Sequence, residues 1–382
     1  MAPAQHPMNR YSHIEEGWLA GENRRSCLFA QQAGGVLRDL QRGDSVHFSV
    51  DGFSNVGRAG RGKAPTLSFY TGGTTGRPKE VVHCSERIRF AVHGFLKQWG
   101  SAPMHIFCCL PLYHVSGWMQ VERAWESGGT ILFGDYRDLL DDDLARYLAG
   151  RWISLVPTQL QLLLKSHLAC SALRKTQGIL LGGAKASPQL LQDCRHEELP
   201  IFPCYGMTET AAMFTMLNAH DFLNGQDGVG KCLSHAEVRL GLNSCVEVRT
   251  QSICLEKGDS FFDQKTWFAT QDVAHIDEGG NLHIERRADR IINSGGVKVD
   301  PQFVEEAILR TGEVNECLVM GKSDEKWGQR IVAYVTPVGV DTEKLKSLLA
   351  EKLDGASTPK EFFAADQLPL NELGKPQGYR SS

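Results

Sequence analysis

The chain has 382 residues, 42% of them apolar and 23% charged, the balance of an ordinary folded protein rather than a disordered or fibrous one. Its 41 Lys and Arg against 45 Asp and Glu give a net charge of −4, which excludes a strongly basic nucleic-acid-binding face as the main theme. No run approaches the ~18 apolar residues of a membrane-spanning helix, and the polar start, broken by Pro3 and Pro7, lacks the apolar middle of a secretory leader.

At ~100–200 residues per domain this length predicts two or three domains in a soluble, cytoplasmic protein. The pattern predicts a brief helix over Ala33–Leu40, a strand over Ser45–Val50, a Gly/Arg/Lys-rich loop over Gly57–Lys63 and a strand over Thr66–Tyr70. After the loop TGGTTGRPK come a helix from His83 to Trp99 and strands at Ile106–Leu110 and Gly129–Phe133. Helix Asp141–Ala149, strand Ile153–Val156, helix Thr158–Ser166, strand Gly178–Leu181 and helix Pro188–Arg195 follow. This alternation predicts an α/β core with a mainly parallel sheet. From about Val229 the texture changes to short β segments such as AEVRLGL, CVEVRT and NLHIERR. The tail offers a helix at Gln302–Arg310, strands at Glu316–Gly321 and Arg330–Thr336, and a helix at Thr342–Leu353, enough for a small α+β domain.

The eleven cysteines show no paired spacing of a zinc knuckle, and several lie in apolar runs such as HIFCCLPLY. Structural free thiols in a reducing compartment are the plain reading.

Three stretches carry chemistry. Thr71–Lys79 sets three glycines and three threonines after a strand, so backbone N–H groups, hydroxyls and the Lys79 charge can converge on phosphate oxygens. It is not the common P-loop, because Glu80 follows Lys79, and alone it reads more readily as a flexible surface loop. Tyr205–Thr210, YGMTET, puts a hydroxyl beside a carboxylate, which suits a magnesium–phosphate site with Glu209 as the hard oxygen ligand. Alone it could be the capped start of a helix. Ala288–Lys298, ADRIINSGGVK, falls at the expected domain boundary, and alone it reads as a linker. His114 is as readily a packed histidine as a substrate contact. Asp141–Asp143 reads as a solvated helix start, and Trp118, Met119 and Trp125 as core or pocket wall.

Taken together and in order, TGGTTGRPK, YGMTET, RRADRIINSGGVKVDP and LPLNELGKPQGYR resemble the motifs of the acyl-adenylate-forming superfamily, over about Thr66 to Arg380. Within it, LPLYHVSGWMQ, ISLVPTQLQLLL, ILLGGAKAS and YGMTETAAM look like the ligases that join 2-succinylbenzoate to coenzyme A in menaquinone and phylloquinone synthesis. The resemblance implies an α/β fold with a large N-terminal AMP-binding domain, residues 1–288, shortened at its N-terminus. A small mobile C-terminal α+β lid, residues 290–382, would turn about a hinge at Asp289.

It also implies ATP, magnesium and coenzyme A as reactants and cofactor, with a carboxylic acid converted to acyl-AMP and then to a thioester. Thr71, Gly73, Thr74, Thr75, Gly76 and Lys79 match the loop on the β- and γ-phosphates. Gly182, Gly183 and Ala184 match the segment along the adenine, and Tyr205, with Gly206 and Met207 after it, the stacking ring. Thr208 matches the α-phosphate contact, Glu209 the magnesium ligand, Asp272 the ribose carboxylate and Arg287 a second ribose or phosphate contact. Lys375 matches the catalytic lysine, Gly295 and Gly296 the approach of pantetheine, and His114, Gly117 and Thr158 the acyl pocket.

Departures stand at Gly72 for serine, Glu80 and Gln271 for glycine, Arg286 for the glycine before Arg287, and in GKPQGYR, where Arg380 cannot be equated with the family's last arginine. A homodimer is the family-level expectation; neither nucleic acid nor membrane insertion is expected. Two other readings stay open: a ligase for another aryl or acyl acid, and a non-catalytic nucleotide-binding protein.

Overall fold

The structure, a computed structural model, describes residues 24–42, 44–49, 52–58, 64–71, 79–100, 102–141, 145–258, 260–350 and 352–369. The chain divides into two compact units. One comprises Met1–Gly241, Glu247–Ala269 and His275–Ile284, the other Leu242–Val246, Thr270–Ala274 and Glu285–Ser382.

The first unit is built on a seven-stranded sheet. Ile131–Phe133, Ile106–Cys108, Trp152–Leu155, Gly178–Leu181 and Ile201–Met207 lie side by side and parallel, and Ala212–Met216 and Lys231–Cys232 extend them antiparallel. IFC, ILF and GILL are buried at every position, as expected of parallel strands covered on both faces. Strand alternation sorts their side chains into two cores. Ile106, Cys108, Trp152, Leu180 and Phe202 join one, and Phe107, Ile153, Leu155, Ile179 and Ile201 the other. The covering helices include Val115–Ser127, Pro157–Leu163, His167–Arg174 and Pro188–His196. Ser166 and Ser187 cap the third and fourth by accepting from Ala169 N and Leu190 N.

A six-stranded sheet in the same unit runs Ser260–Phe261, Glu256–Lys257, Lys79–Cys84, Thr66–Thr71, Asp44–Ser49, Gly52–Arg58. Only the Asp44–Ser49 and Thr66–Thr71 pair is parallel. The expected mainly parallel sheet therefore holds for the seven-stranded sheet alone. The six-stranded one is antiparallel because hairpin-length connections join several of its strands.

Several element boundaries differ from the sequence reading. Residues Lys79–Cys84 are a strand, and the helix expected from His83 begins at Ser85. Val81 and His83 alternate inward, a period of two that the helical reading of His83 overlooked. The first helix covers Arg24–Arg42, Gly52–Arg58 is a strand, and His167–Arg174 is an additional helix. Of Asp141–Ala149, the described residues contain one tight turn, Arg146–Leu148; Asp142 and Asp143 lie outside them.

After Val229 come the strands Ala236–Leu240, Cys245–Thr250, Phe268–Ile276 and Leu282–Arg287. In the second unit, Val297–Val299, Ile292–Ser294, Gly328–Thr336 and Glu316–Asp324 form a sheet, and Glu361–Ala364 joins Gly328–Thr336 in parallel. Helices Pro301–Leu309 and Thr342–Ala350 close a core of Val304, Ile308, Val319, Ile331, Val335, Leu345 and Leu349. The segment that could have been a linker is a short turn, Ala288–Arg290, followed by the Ile292–Ser294 and Val297–Val299 hairpin.

Candidate active site

The parallel register aligns the ends of the strands. Leu155 pairs with Leu181 and Leu181 with Pro203. The chain therefore leaves the sheet at one carboxyl edge at Val156–Thr158 and Gly182–Ala184, while Cys204–Met207 continues its strand past that edge, paired with Ala212–Met216. In open α/β sheets ligands bind along that edge. Thr158 is exposed in the first turn of its helix. Tyr205 packs edge-on to Phe214, with ring centroids 5.0 Å apart. A Cβ on Gly206 would lie 2.0 Å from the Ala212 carbonyl oxygen, so only glycine allows the returning strand this close.

The Thr208–Thr210 turn reverses the chain between Ile201–Met207 and Ala212–Met216, with Ala211 and Ala212 at φ 54° and 76°. Such torsions persist where the surroundings hold them, and here each carbonyl of the turn has a partner. His83 Nε2 donates to Thr208 O at 2.7 Å, Cys254 N to Glu209 O at 2.6 Å and Ser252 Oγ to Thr210 O at 2.9 Å. Thr210, wholly buried, donates its own hydroxyl to Ala212 O at 2.8 Å. Arg87 Nη1 reaches the carbonyls of Ile253, Cys254 and Phe262 at 2.9, 2.7 and 3.2 Å, fixing the segment that supplies Ser252 and Cys254. Burial pushes His83 down to about 4, so it is neutral. Its bond to a carbonyl makes Nε2 the protonated nitrogen, and Nδ1 is buried with no hydrogen-bond partner.

Glu209 is nearly buried, and Lys257 Nζ donates to its Oε1. Lys257 pairs opposite Val81, and Lys79, Val81 and His83 share one side of their strand, so both lysines and His83 face the same way. Thr71 and Lys79 are the last pair of their hairpin, with Thr71 Oγ1 donating to Lys79 O at 3.3 Å. They bring the ends of the glycine loop together. Gly73, Thr74, Thr75 and Gly76 lie outside the described residues, as does Lys375. Glu80, a departure from the family pattern, faces away from Lys79 and meets His47 Nδ1 at 3.3 Å.

A single carboxylate fits magnesium that arrives with a nucleotide, since this ion takes one or two protein carboxylates plus phosphate oxygens. Among the described residues no group of three His, Cys, Asp or Glu could hold a metal by itself.

In the second unit, Asp272, Arg287 and Asp289 form one charged chain. Arg287 Nη1 donates to buried Asp272 at 3.4 Å, and its Nε and Nη2 clamp Asp289 at 2.8 and 2.6 Å. Gln271 is exposed, and Arg286 meets Asp300 at 3.6 Å. Gly295 and Gly296 make the turn of the Ile292–Val299 hairpin, and Gly295 N donates to Trp327 O at 2.8 Å.

His114 stands half-buried just before helix Val115–Ser127, its ring 4.5 Å from that of Tyr113. A Cβ on Gly117 would lie 2.1 Å from the Pro111 carbonyl oxygen, so close packing alone accounts for this glycine. Trp118 and Met119 are fully buried core, and Trp125 is half-buried. Cys108, Cys204 and Cys254 are free thiols that burial pushes up to about 12, which suits packing rather than reactivity.

Sequence reasoning missed His83, Arg87, Ser252 and Lys257. For His83 a signal existed, a polar side chain at an inward position of KEVVHC. The other three act across long sequence separations and carry no local mark.

A glycine-punctuated parallel sheet edge, a carboxylate turn and a β-rich C-terminal unit define the adenylate-forming fold. The chain belongs to the AMP-binding enzyme family, whose model matches residues 38–247, while residues 304–375 match the AMP-binding enzyme C-terminal domain. It is 32% identical over 322 residues to 2-succinylbenzoate–CoA ligase of Listeria monocytogenes serotype 4b, covering 81% of this chain and 68% of that protein. Among solved structures it resembles o-succinylbenzoate CoA synthetase of Bacillus subtilis in complex with its acyl-adenylate intermediate. The TM-score is 0.67 at 28% identity, covering 81% of this chain and 67% of that one. The same enzyme with ATP and magnesium gives a TM-score of 0.66 at 27% identity, over 81% and 68%.

Proposed function

We infer that this protein is an AMP-forming acid–CoA ligase acting on 2-succinylbenzoate, with ATP and coenzyme A as co-substrates and magnesium as cofactor. One observation carries the reading: the Thr208–Thr210 turn is held at its three carbonyls by His83, Cys254 and Ser252, and it follows directly on the strand that carries Tyr205 past the carboxyl edge where Gly182–Ala184 leaves the sheet. The activity of the relatives supplies the acid.

In the first half-reaction a carboxylate oxygen attacks the α-phosphorus and pyrophosphate leaves. In the second the CoA sulfur attacks the acyl carbon, AMP leaves and the thiol proton passes to solvent. Two anions must meet in the first step, so the protein's work is positioning and positive charge. Thr71, Lys79 and the loop between them would hold the β- and γ-phosphates. Gly182–Ala184 and Tyr205–Met207 would hold the adenine, and Asp272 with Arg287 the ribose. Thr208 would contact the α-phosphate, and Lys375 would bridge it to the substrate carboxylate. Glu209 would hold magnesium, which supplies charge neutralisation on the phosphates. His114, Gly117 and Thr158 would line the acyl pocket, and Gly295 and Gly296 would meet pantetheine.

A division into 1–288 and 290–382 about Asp289 would let the lid turn between half-reactions. A cytoplasmic homodimer completes the proposal. Among the described residues no helix is long and apolar enough to cross a membrane.

The test is mass-spectrometric detection of product from ATP, magnesium and CoA with 2-succinylbenzoate, benzoate or a medium-chain fatty acid. A thioester from 2-succinylbenzoate alone is expected. Thioester from another acid would keep the mechanism and discard this substrate, and ATP binding without acyl-AMP would favour a nucleotide-binding protein. Lys375→Ala should cut adenylation by orders of magnitude while ATP still binds.

A further inference from the structure

The ion pair between Lys257 and Glu209 places a cation where the proposed function needs a metal. Glu209 is nearly buried, its side chain 9% exposed, whereas that of Lys257 is 30% exposed and sits on the two-residue strand Glu256–Lys257 near the sheet edge. A buried carboxylate without a counter-ion is strongly destabilising. Magnesium and an ammonium cannot both take the same lone pairs of Oε1 without repulsion between them.

The strand register adds a second point. Lys257 lies across from Val81, and Lys79 is two residues from Val81 on the same side, so the two lysines are diagonal neighbours at the mouth of the glycine loop.

We propose that Lys257 is a positioning residue that stands in for magnesium on Glu209 before nucleotide arrives, and that it yields the carboxylate to the metal when the metal–nucleotide complex binds. The inference rests on the assignment of Glu209 as the metal ligand. Lys257 thus holds the carboxylate in place before nucleotide binds, and it competes with the metal for it.

The test is a Mn²⁺ titration of the full chain with a non-hydrolysable ATP analogue, following free Mn²⁺ by electron paramagnetic resonance. Lys257→Met removes the competitor and should tighten Mn²⁺ binding about tenfold, the equivalent of one partly buried ion pair, while Lys257→Arg should stay near wild type. Thermal unfolding without ligands should show Lys257→Met less stable than wild type, with the deficit recovered by Mn²⁺ and nucleotide. In the double variant with Glu209→Gln, Lys257→Met should have no further effect on stability. If Lys257→Met leaves Mn²⁺ affinity unchanged or weakens it, the exchange role is overturned. If Glu209→Gln does not weaken Mn²⁺ binding, the failure belongs instead to the assignment of Glu209.

Discussion

Replacing His83 separates the support of the site from its chemistry. The imidazole donates to Thr208 O at 2.7 Å from a fully buried position, and Thr208 and Glu209 are the residues proposed to meet the α-phosphate and the metal. His83→Leu keeps much of the side chain's bulk but leaves that carbonyl without its donor, at about 1–3 kcal/mol. Loss of the unpaired Nδ1 offsets part of this. If the turn then relaxes, adenylation should fall roughly five- to a hundredfold, the kinetic equivalent of that energy. His83→Gln carries an amide N–H that can reach the same carbonyl and should recover most of the rate. ATP–pyrophosphate exchange reads the first half-reaction directly. A leucine variant within twofold of wild type, or a glutamine variant no better than leucine, would refute the assignment of His83 as the prop of this turn.

Acid stability follows from the same residue. Burial lowers the imidazole from 6.5 to about 4, so as pH falls the unfolded chain binds a proton first. The contribution is complete above about 6.5 and is lost as pH drops towards 4, amounting to about 3 kcal/mol; denaturant titrations of wild type and His83→Gln should diverge in slope across that window. His235, also lowered to about 4 by burial, leaves a similar slope in both proteins. Gly206→Ala sets a Cβ 2.0 Å from a backbone oxygen and 2.4 Å from Met213 Cα, and should lower stability by roughly 1–3 kcal/mol in a thermal melt. Asp272→Asn should raise KM for ATP about tenfold or more with a smaller change in kcat if it holds the ribose, and steady-state kinetics with ATP varied would show an unchanged KM if it does not. Asp289→Pro should slow thioester formation more than adenylation, and equal loss in both steps, measured separately, would count against a turn about this residue.

The parts of the fold that were legible in the sequence are those set by local pattern. Gly178–Leu181 matches its strand residue for residue, because three consecutive apolar residues between Gly178 and the Gly182–Gly183 turn admit little else. Pro188–His196 was legible from Ser187 and Pro188, a cap and a first helical residue. The strand Lys79–Cys84 was not, since Val81 and His83 give only two inward positions before a helix begins. The same limit governs the site. Thr71, Lys79, Tyr205 and Glu209 belong to short contiguous motifs, so their order along the chain already implied a nucleotide. The groups that hold them come from elsewhere: His83 lies 125 residues from Thr208, and Lys257 48 residues from Glu209. Motifs record what must touch a ligand. The hydrogen bonds and charges that keep those residues in place arise only when distant strands are brought into register. A variant of Lys257 or His83 that changes metal binding or adenylation while every motif residue remains intact would show that this second set of residues is part of the site.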